Sequence, residues 1–237
     1  MEVYVEKELS DFLKFTNVGG IEEAVLNIEE DHISIDAINR ESTLLVYSSM
    51  NSSIGIGDRL LGIYDIPILI RALLSVEPTD KDKIILNIED ESIIVSDEFS
   101  KYKILLCHPD IITVPKKIKD LDYSVEFSMN PSRILSLLRG MSIIEDPTLS
   151  ILCKDKKICI VVGVDTSNNY IENIYKTITN KEIELKKVFN KEHVQSILEI
   201  HKNSEIKFSI MDKIMRIQVK GEKINVDYFL SPKKEVV

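Results

Sequence analysis

No apolar run in this chain of 237 residues approaches the roughly 18 that a membrane span needs. The opening Met1-Glu2-Val3-Tyr4 lacks the basic-then-apolar layout of a secretory leader, so an intracellular protein is expected. Cysteine is scarce. Cys107, Cys153 and Cys159 are an odd count with no CxxC pair, each in an apolar, strand-like stretch, and each is expected to be a buried small hydrophobe. Catalytic signatures are missing too: no GxxxxGK[ST], HExxH or GxSxG occurs. Gly19-Gly20 and Gly55-Ile56-Gly57 read as turn glycines. His32, His108, His193 and His201 have no metal-ligand spacing with one another or with the cysteines. Asp80, Asp82, Glu89 and Asp90 read as a solvated hairpin charge run. An enzyme therefore has no residue support, and neither a cofactor nor a metal is expected.

What is present is a soluble-protein composition, 44% hydrophobic and 29% charged. The formal net charge of −9 runs against a nucleic-acid partner, because phosphate binding rests on Lys and Arg. The distribution matters more than the sum. Acidic residues concentrate in hairpins and loops, at Glu29-Glu30-Asp31, Asp80–Asp82, Glu89–Glu91 and Asp97-Glu98.

The chain reads as one unit written twice, in pattern rather than in letters. Residues 1–108 and 123–237 follow one order: strand, short amphipathic helix, three strands, a second short helix, three strands. In the first half Leu60–Tyr64 is a strand, Asp65–Val76 a helix and Ile84–Cys107 a strand series. In the second half the same places belong to Glu182–Phe189, Asn190–His201 and Glu205–Leu230. Tyr64-Asp65 and Phe189-Asn190 correspond, an aromatic followed by an N-cap residue. Strand signals dominate, many β-branched and separated by tight turns such as Lys220-Gly221-Glu222, which means antiparallel meanders. Helical period is confined to Lys7–Asn17, Ile66–Val76, Pro131–Ile143 and Lys191–Asn203. Asp65 and Asn130 precede helices with Pro in the first turn, and Asn190 caps the fourth. Helices of about three turns are unstable alone, so each must pack on a sheet. Pro109–Asp122, PDIITVPKKIKDLD, has two prolines and no strand alternation, and reads as an extended connector between two domains.

At about 100° per residue, the third helix puts Ile134, Leu135, Leu137, Leu138 and Met141 inside. Its other side holds Ser132, Ser136 and Gly140, flanked by Arg133 and Arg139, with no carboxylate. The second helix places Ile66, Leu69, Ile70, Leu73 and Leu74 inside, and Ile68, Arg71, Ala72 and Ser75 outside. The first carries Lys7 and Lys14 with Ser10 and Asp11 between them. On the fourth, Lys191 and Lys202 lie at the edge of a polar face that contains Glu199. Small residues flanked by cations let a polyanion approach without base readout.

The carboxy end, Asp227-Tyr228-Phe229-Leu230-Ser231-Pro232-Lys233, is similar to the "YYLAPK" ending of the DNA sliding clamps of the proliferating cell nuclear antigen type. Ile33-Ser34-Ile35-Asp36-Ala37-Ile38-Asn39 resembles the "VNLQSMD" strand and turn of that family, and Pro115–Ser124 its interdomain connecting loop. With the order of elements, the resemblance covers essentially the whole chain and extends to the clamps of large phages. It implies an α+β fold of two similar domains, residues 1–108 and 123–237 joined by 109–122, each with antiparallel sheets and two short helices. It implies six such domains in a ring around duplex DNA, hence three chains. The helices would line the hole, with Lys7, Lys14, Arg71, Arg133, Arg139 and Lys202 facing DNA without sequence specificity, and Glu199 a departure from a basic lining. Partners, among them a DNA polymerase and a clamp loader, would dock short peptides on Ile38, Ser42, Thr43, Ile118, Leu121, Phe229, Leu230 and Pro232. Ile118 and Leu230 are expected at the surface. Edge strands would pair between subunits, Lys101–His108 with Tyr170–Ile178, through Lys101, Lys103, Leu105, Tyr170, Ile174, Tyr175 and Ile178. The place of action would be the replication fork, in host cytoplasm if a phage encodes the chain; abundant Ile, Lys and Asn fit an AT-rich genome. The rival readings are a two-domain interaction scaffold that never encircles DNA and a monomeric or heteromeric processivity factor.

Overall fold

The computed structural model describes residues 2–52, 57–79, 83–118, 121–154, 157–163, 170–176 and 184–233. The chain divides into two compact units, residues 1–116 with 221–226, and residues 117–220 with 227–237.

The first unit runs β1 (Glu2–Glu6), α1 (Glu8–Thr16), β2 (Ala24–Ile28), β3 (His32–Ile38), β4 (Leu44–Asn51), β5 (Arg59–Ile63), α2 (Ile66–Ser75), β6 (Lys83–Ile88), β7 (Ser92–Ser96) and β8 (Lys101–Cys107). A single 3₁₀ turn, Pro109–Ile111, opens the predicted connector. Four strands, not three, separate the two helices. The sheet order is β1-β6-β7-β8-β5-β2-β3-β4, and these neighbours pair antiparallel. Strict alternation drives this: β3 and β4 bury every second residue, as half-exposed sheets require. α1 packs on α2 and β4, and α2 also touches β8. Phe12 and Leu13 are fully enclosed there. Asp65 caps α2 by accepting from the Ile68 N–H at 2.8 Å. At the β3–β4 tip, Asn39 Oδ1 accepts from the Thr43 and Leu44 amides at 2.9 and 3.0 Å, and Ser42 takes a left-handed φ of 56°. Gly62 is needed where β5 closes on β8, since a Cβ there would lie 2.3 Å from the Cys107 carbonyl oxygen.

The second unit repeats the order: β9 (Val125–Met129), α3 (Pro131–Ile143), β10 (Thr148–Lys154), β11 (Lys157–Val162), β12 (Ile171–Lys176), β13 (Leu185–Asn190), α4 (Lys191–Ile200), β14 (Ile206–Ile210), β15 (Met215–Lys220) and β16 (Ile224–Leu230). Its strands are ordered β12-β11-β10-β13 and β16-β15-β14-β9. The first four match β4-β3-β2-β5 and the last four β8-β7-β6-β1, so the duplication legible in the sequence is a duplication of topology. α3 packs on α4. Asn130 and Asn190 cap these helices through the Arg133 and Glu192 amides.

Three expectations about single residues change. Cys153 is buried, but Cys107 and Cys159 are only half-buried. Cys159 sits on a strand face open to solvent, where its thiol donates to Glu172 at 2.8 Å. Burial first, and then that bond, pushes it up to about 12, so no thiolate forms at neutral pH. Lys191 is buried rather than edging a polar face. Its ammonium donates to the Met141 and Ile144 carbonyls and so satisfies the end of α3. No helix among the described residues is long and apolar enough to cross a membrane.

Candidate functional surfaces

The helix cations come first. Lys7, Arg71, Arg133, Arg139 and Lys202 are exposed. Lys14 is tied to Asp11 at 2.7 Å, an i,i+3 pair that lowers its value to an anionic ligand. Ser10, placed between the two lysines by its period, is buried and donates to the Lys7 carbonyl at 3.0 Å. On α3 the buried stripe is Ile134, Leu137, Gly140 and Met141, while Leu135 turns outward. Gly140 belongs inside because Ile171 of β12 crosses there: an added Cβ would meet its side chain at 3.3 Å. The exposed surface of α3 keeps Ser132, Arg133, Ser136, Arg139 and Ser142 and no carboxylate. On α2 the same rotation applies. Ala72 is buried and Leu74 is 52% exposed, in a helix that packs on α1 and touches β8. On α4, Glu199 is exposed and accepts from Gln195 at 2.8 Å, and Lys202 lies just past the helix end.

The predicted docking residues fall in both units. In the first, Ile38 and Ser42 line a cavity of about 280 Å³ with Gly20, Glu22, Asn39 and Arg40. Thr43 is next to it, held by Asn39. In the second, Ile118, Leu121 and Pro232 are half-buried. Leu230 is only 1% exposed, and Phe229 is buried as well. The expectation of a surface Leu230 is therefore wrong: it closes β16 as a core residue, whose inward side is fixed by the pleat and not by nearness to the chain end. A polar cluster here had no place in the sequence reading. Arg216 makes a bidentate pair with Asp227, both bonds 2.8 Å, and Gln218 adds a third at 2.9 Å. The same guanidinium lies 5.8 Å from the Phe229 ring centre, and its charge acts on the Tyr123 hydroxyl at the end of the connector. The cue was alternation, since Arg216, Gln218 and Asp227 share one face of adjacent strands.

The predicted edges are more asymmetric than expected. β12 pairs with β11 only, so its far side is open among the described residues. β8 pairs along β7 from Lys101 to Leu105, but meets β5 only at Leu106 and Cys107. The Lys101–Leu105 stretch thus has one occupied and one open side; His108 lies beyond the strand. Leu105 is 69% and Ile174 is 64% exposed, with Tyr170 about half exposed. Tyr175 is in β12, and Ile178 lies outside the described residues. Among the described residues no three His, Cys, Asp or Glu side chains gather as a metal site; Asp80 and Asp82 of the hairpin charge run fall outside them.

No known family and no curated protein matches the sequence. Solved structures do match. The proliferating cell nuclear antigen of A. fulgidus, in complex with the C-terminal region of FEN-1, superposes with a TM-score of 0.80 at 16% identity, over 100% of this chain and 99% of that one. The chain has the sliding-clamp fold. The antigens of Thermococcus kodakaraensis (TM-score 0.76, 12% identity, 98% and 99% covered) and Entamoeba histolytica (0.72, 16%, 98% and 98%) are similar along their whole length too. Clamp-fold topology accounts for the paired helices over each unit's sheets and for the two strands with an open side. It survives at this low identity because alternation and capping, rather than particular letters, specify it.

Proposed function

We propose that this chain is a DNA sliding clamp, a non-catalytic processivity factor. Three copies close into a ring of six domains around duplex DNA and tether a polymerase, and a loader places the ring there. The observation that carries the reading is coverage: the likeness to a clamp spans 100% of this chain and 99% of the A. fulgidus one. The carboxylate-free surface of α3 supports it, with Arg133 and Arg139 offering mobile cations to phosphates and nothing to read bases. Weak contacts of that kind permit sliding, while closure of the ring prevents sideways loss. Lys7, Arg71 and Lys202 add to this lining; Lys14, paired with Asp11, adds least. The peptide-docking role is assigned to Ile38, Ser42 and Thr43 in the first unit and to Ile118, Leu121 and Pro232 in the second, where Phe229 and Leu230 are buried. The A. fulgidus relative holds the end of FEN-1, and partners of the present chain would use short peptides likewise. The site of action is the replication fork inside a cell.

The test is retention on DNA in the presence of a loader. The clamp stays on closed circles and is lost from linear ends. Equal loss from both leaves the non-encircling scaffold in its place. Mass in solution is the cheaper check: a trimer of about 81 kDa follows from the 27.1 kDa chain.

A further inference from the structure

The sheet β12-β11-β10-β13 has two faces of opposite character. One buries Leu149, Ile151, Ile158 and Ile160, and on it Ile171 meets Gly140 of α3. The other, by the pleat, points away from α3. The strand register sorts this outer face into three rows. Glu172, Val161, Ser150 and Val188 form the first; Ile174, Cys159, Leu152 and Lys186 the second; Lys176, Lys157 and Lys154 the third.

The third row sets like charges directly opposite one another, Lys154 against Lys157 and Lys157 against Lys176, which destabilises a ladder. Among the described residues one carboxylate reaches this row, Glu184, 3.5 Å from Lys154. Lys157 and Lys186 are exposed and have no ion-pair partner among the described residues. Glu172, the other acid of the face, accepts from the Cys159 thiol at 2.8 Å. Lys154, Lys157, Lys176 and Lys186 thus stand against Glu172 and Glu184, an excess of two cations. Asp155 and Lys156 of the intervening turn lie outside the described residues, and their formal charges cancel. The second unit as a whole holds 19 Lys and Arg against 16 Asp and Glu, a net of +3 in a chain of net −9, so an anionic partner is steered to it.

The charge borders apolar surface. A cavity of about 340 Å³ reaches from Ile174, 64% exposed, across Cys159 and Leu152 to Lys154, Lys157 and Lys186. A second, of about 160 Å³, shares Leu152 and Lys186 with it and continues over Ser150, Val161 and Val188. Together they make one open groove with an aliphatic floor and cations along its side. Nucleic acid would find cations here, but among the described residues no aromatic side chain lines either cavity for a base to stack on. A peptide with both carboxylates and an aliphatic side chain matches floor and rim together.

We propose that this outer face docks an acidic partner peptide, an aliphatic side chain seated over Leu152 and Cys159 and carboxylates on Lys154, Lys157 and Lys186. The site uses none of the residues assigned to peptide docking above, and it does not depend on the chain encircling DNA.

Fluorescence anisotropy of the full chain with a labelled peptide of one leucine among aspartates tests it. The peptide binds, and its affinity falls about tenfold or more in K157E/K186E, and likewise between about 50 and about 300 mM salt. K157R/K186R, which keeps the charge, binds as the parent does. A peptide with asparagine in place of aspartate does not bind, and one with serine in place of leucine binds less tightly. Both lysines are exposed, and circular dichroism checks that each variant is folded. A parent chain that ignores the peptide, or a K157E/K186E variant with undiminished affinity, overturns the proposal. Equal affinity for the leucine and serine peptides overturns the groove and leaves plain charge attraction. Preference for a single-stranded oligonucleotide over the peptide makes the face a nucleic-acid site and overturns the peptide. Retention on circular DNA tests the clamp reading separately: K157E/K186E should match the parent there, and loss of the parent from circles overturns that reading without touching this one.

Discussion

Individual residues carry more of this fold than their letters suggest. His201 is 2% exposed and its Nε2 lies 2.6 Å from the Tyr228 hydroxyl, itself fully buried. Burial lowers the imidazole to about 4 from an ordinary 6.5. A base depressed by folding favours the native state above its unfolded pKa, and loses that contribution as pH falls from about 6.5 toward 4. Unfolding by denaturant at pH 7 and pH 5 should differ by about 2 kcal/mol from this group, and His201→Gln should flatten the difference. An unchanged pH slope in the variant would place the acid sensitivity elsewhere. Leu230 and Ile118 separate stability from binding. Leu230→Ala opens a core cavity and should cost about 2–5 kcal/mol of stability. Ile118→Ala, at a half-buried connector position, should leave the melting curve nearly alone. In calorimetry with a partner's terminal peptide, it should weaken binding by about 2 kcal/mol, the usual loss for an anchor pocket. Intact affinity would remove the connector from the docking surface.

Elements were legible where one periodicity governs them, and less so where two neighbours compete. The Asp65, Asn130 and Asn190 caps placed three helix starts to the residue, and alternation placed most strands within a residue or two, since both are local chemistry. The inward stripe of a helix is not local. Gly140 points inward because Ile171 crosses there, and Ala72 is buried while Leu74 and Leu135 are exposed, which no helical wheel contains. Lys191 was misplaced for the same reason: its charge is satisfied by carbonyls 47 and 50 residues earlier in the chain. The Arg216–Asp227 pair needed the strand register before it became visible. On α3 the buried stripe leaves Arg133 and Arg139 at the surface. Reversing both to Glu should weaken loading and processive synthesis while leaving the oligomer intact. Removing one cation from the phosphates should lower the salt slope of DNA binding by somewhat less than about one unit. A double variant with the parent slope would mean that α3 does not line the hole.

For the whole molecule, the decisive question is whether the open sides of β8 and β12 pair between copies. Successive amides along a strand point to opposite sides. The Leu106 N–H donates to the Glu91 carbonyl on the β7 side, so the Leu105 and Lys103 amides face the open side. Proline has no amide hydrogen, and at position 105 it removes an outward donor without touching the bonds that hold β8 to β7. An open edge that also displays Leu105 and Tyr102 is an aggregation hazard unless something covers it, which is the physical reason to expect a partner strand. Leu105→Pro should therefore yield a folded monomer at micromolar concentration, with a far-ultraviolet spectrum like the parent's, no retention on circular DNA and no gain in polymerase processivity. Tyr175→Pro, on the opposing strand, should give the same phenotype from the other side of the joint. Trimers persisting in either variant by sedimentation would show that the copies meet through other surfaces, and the assignment of these two strands to the joint would fall.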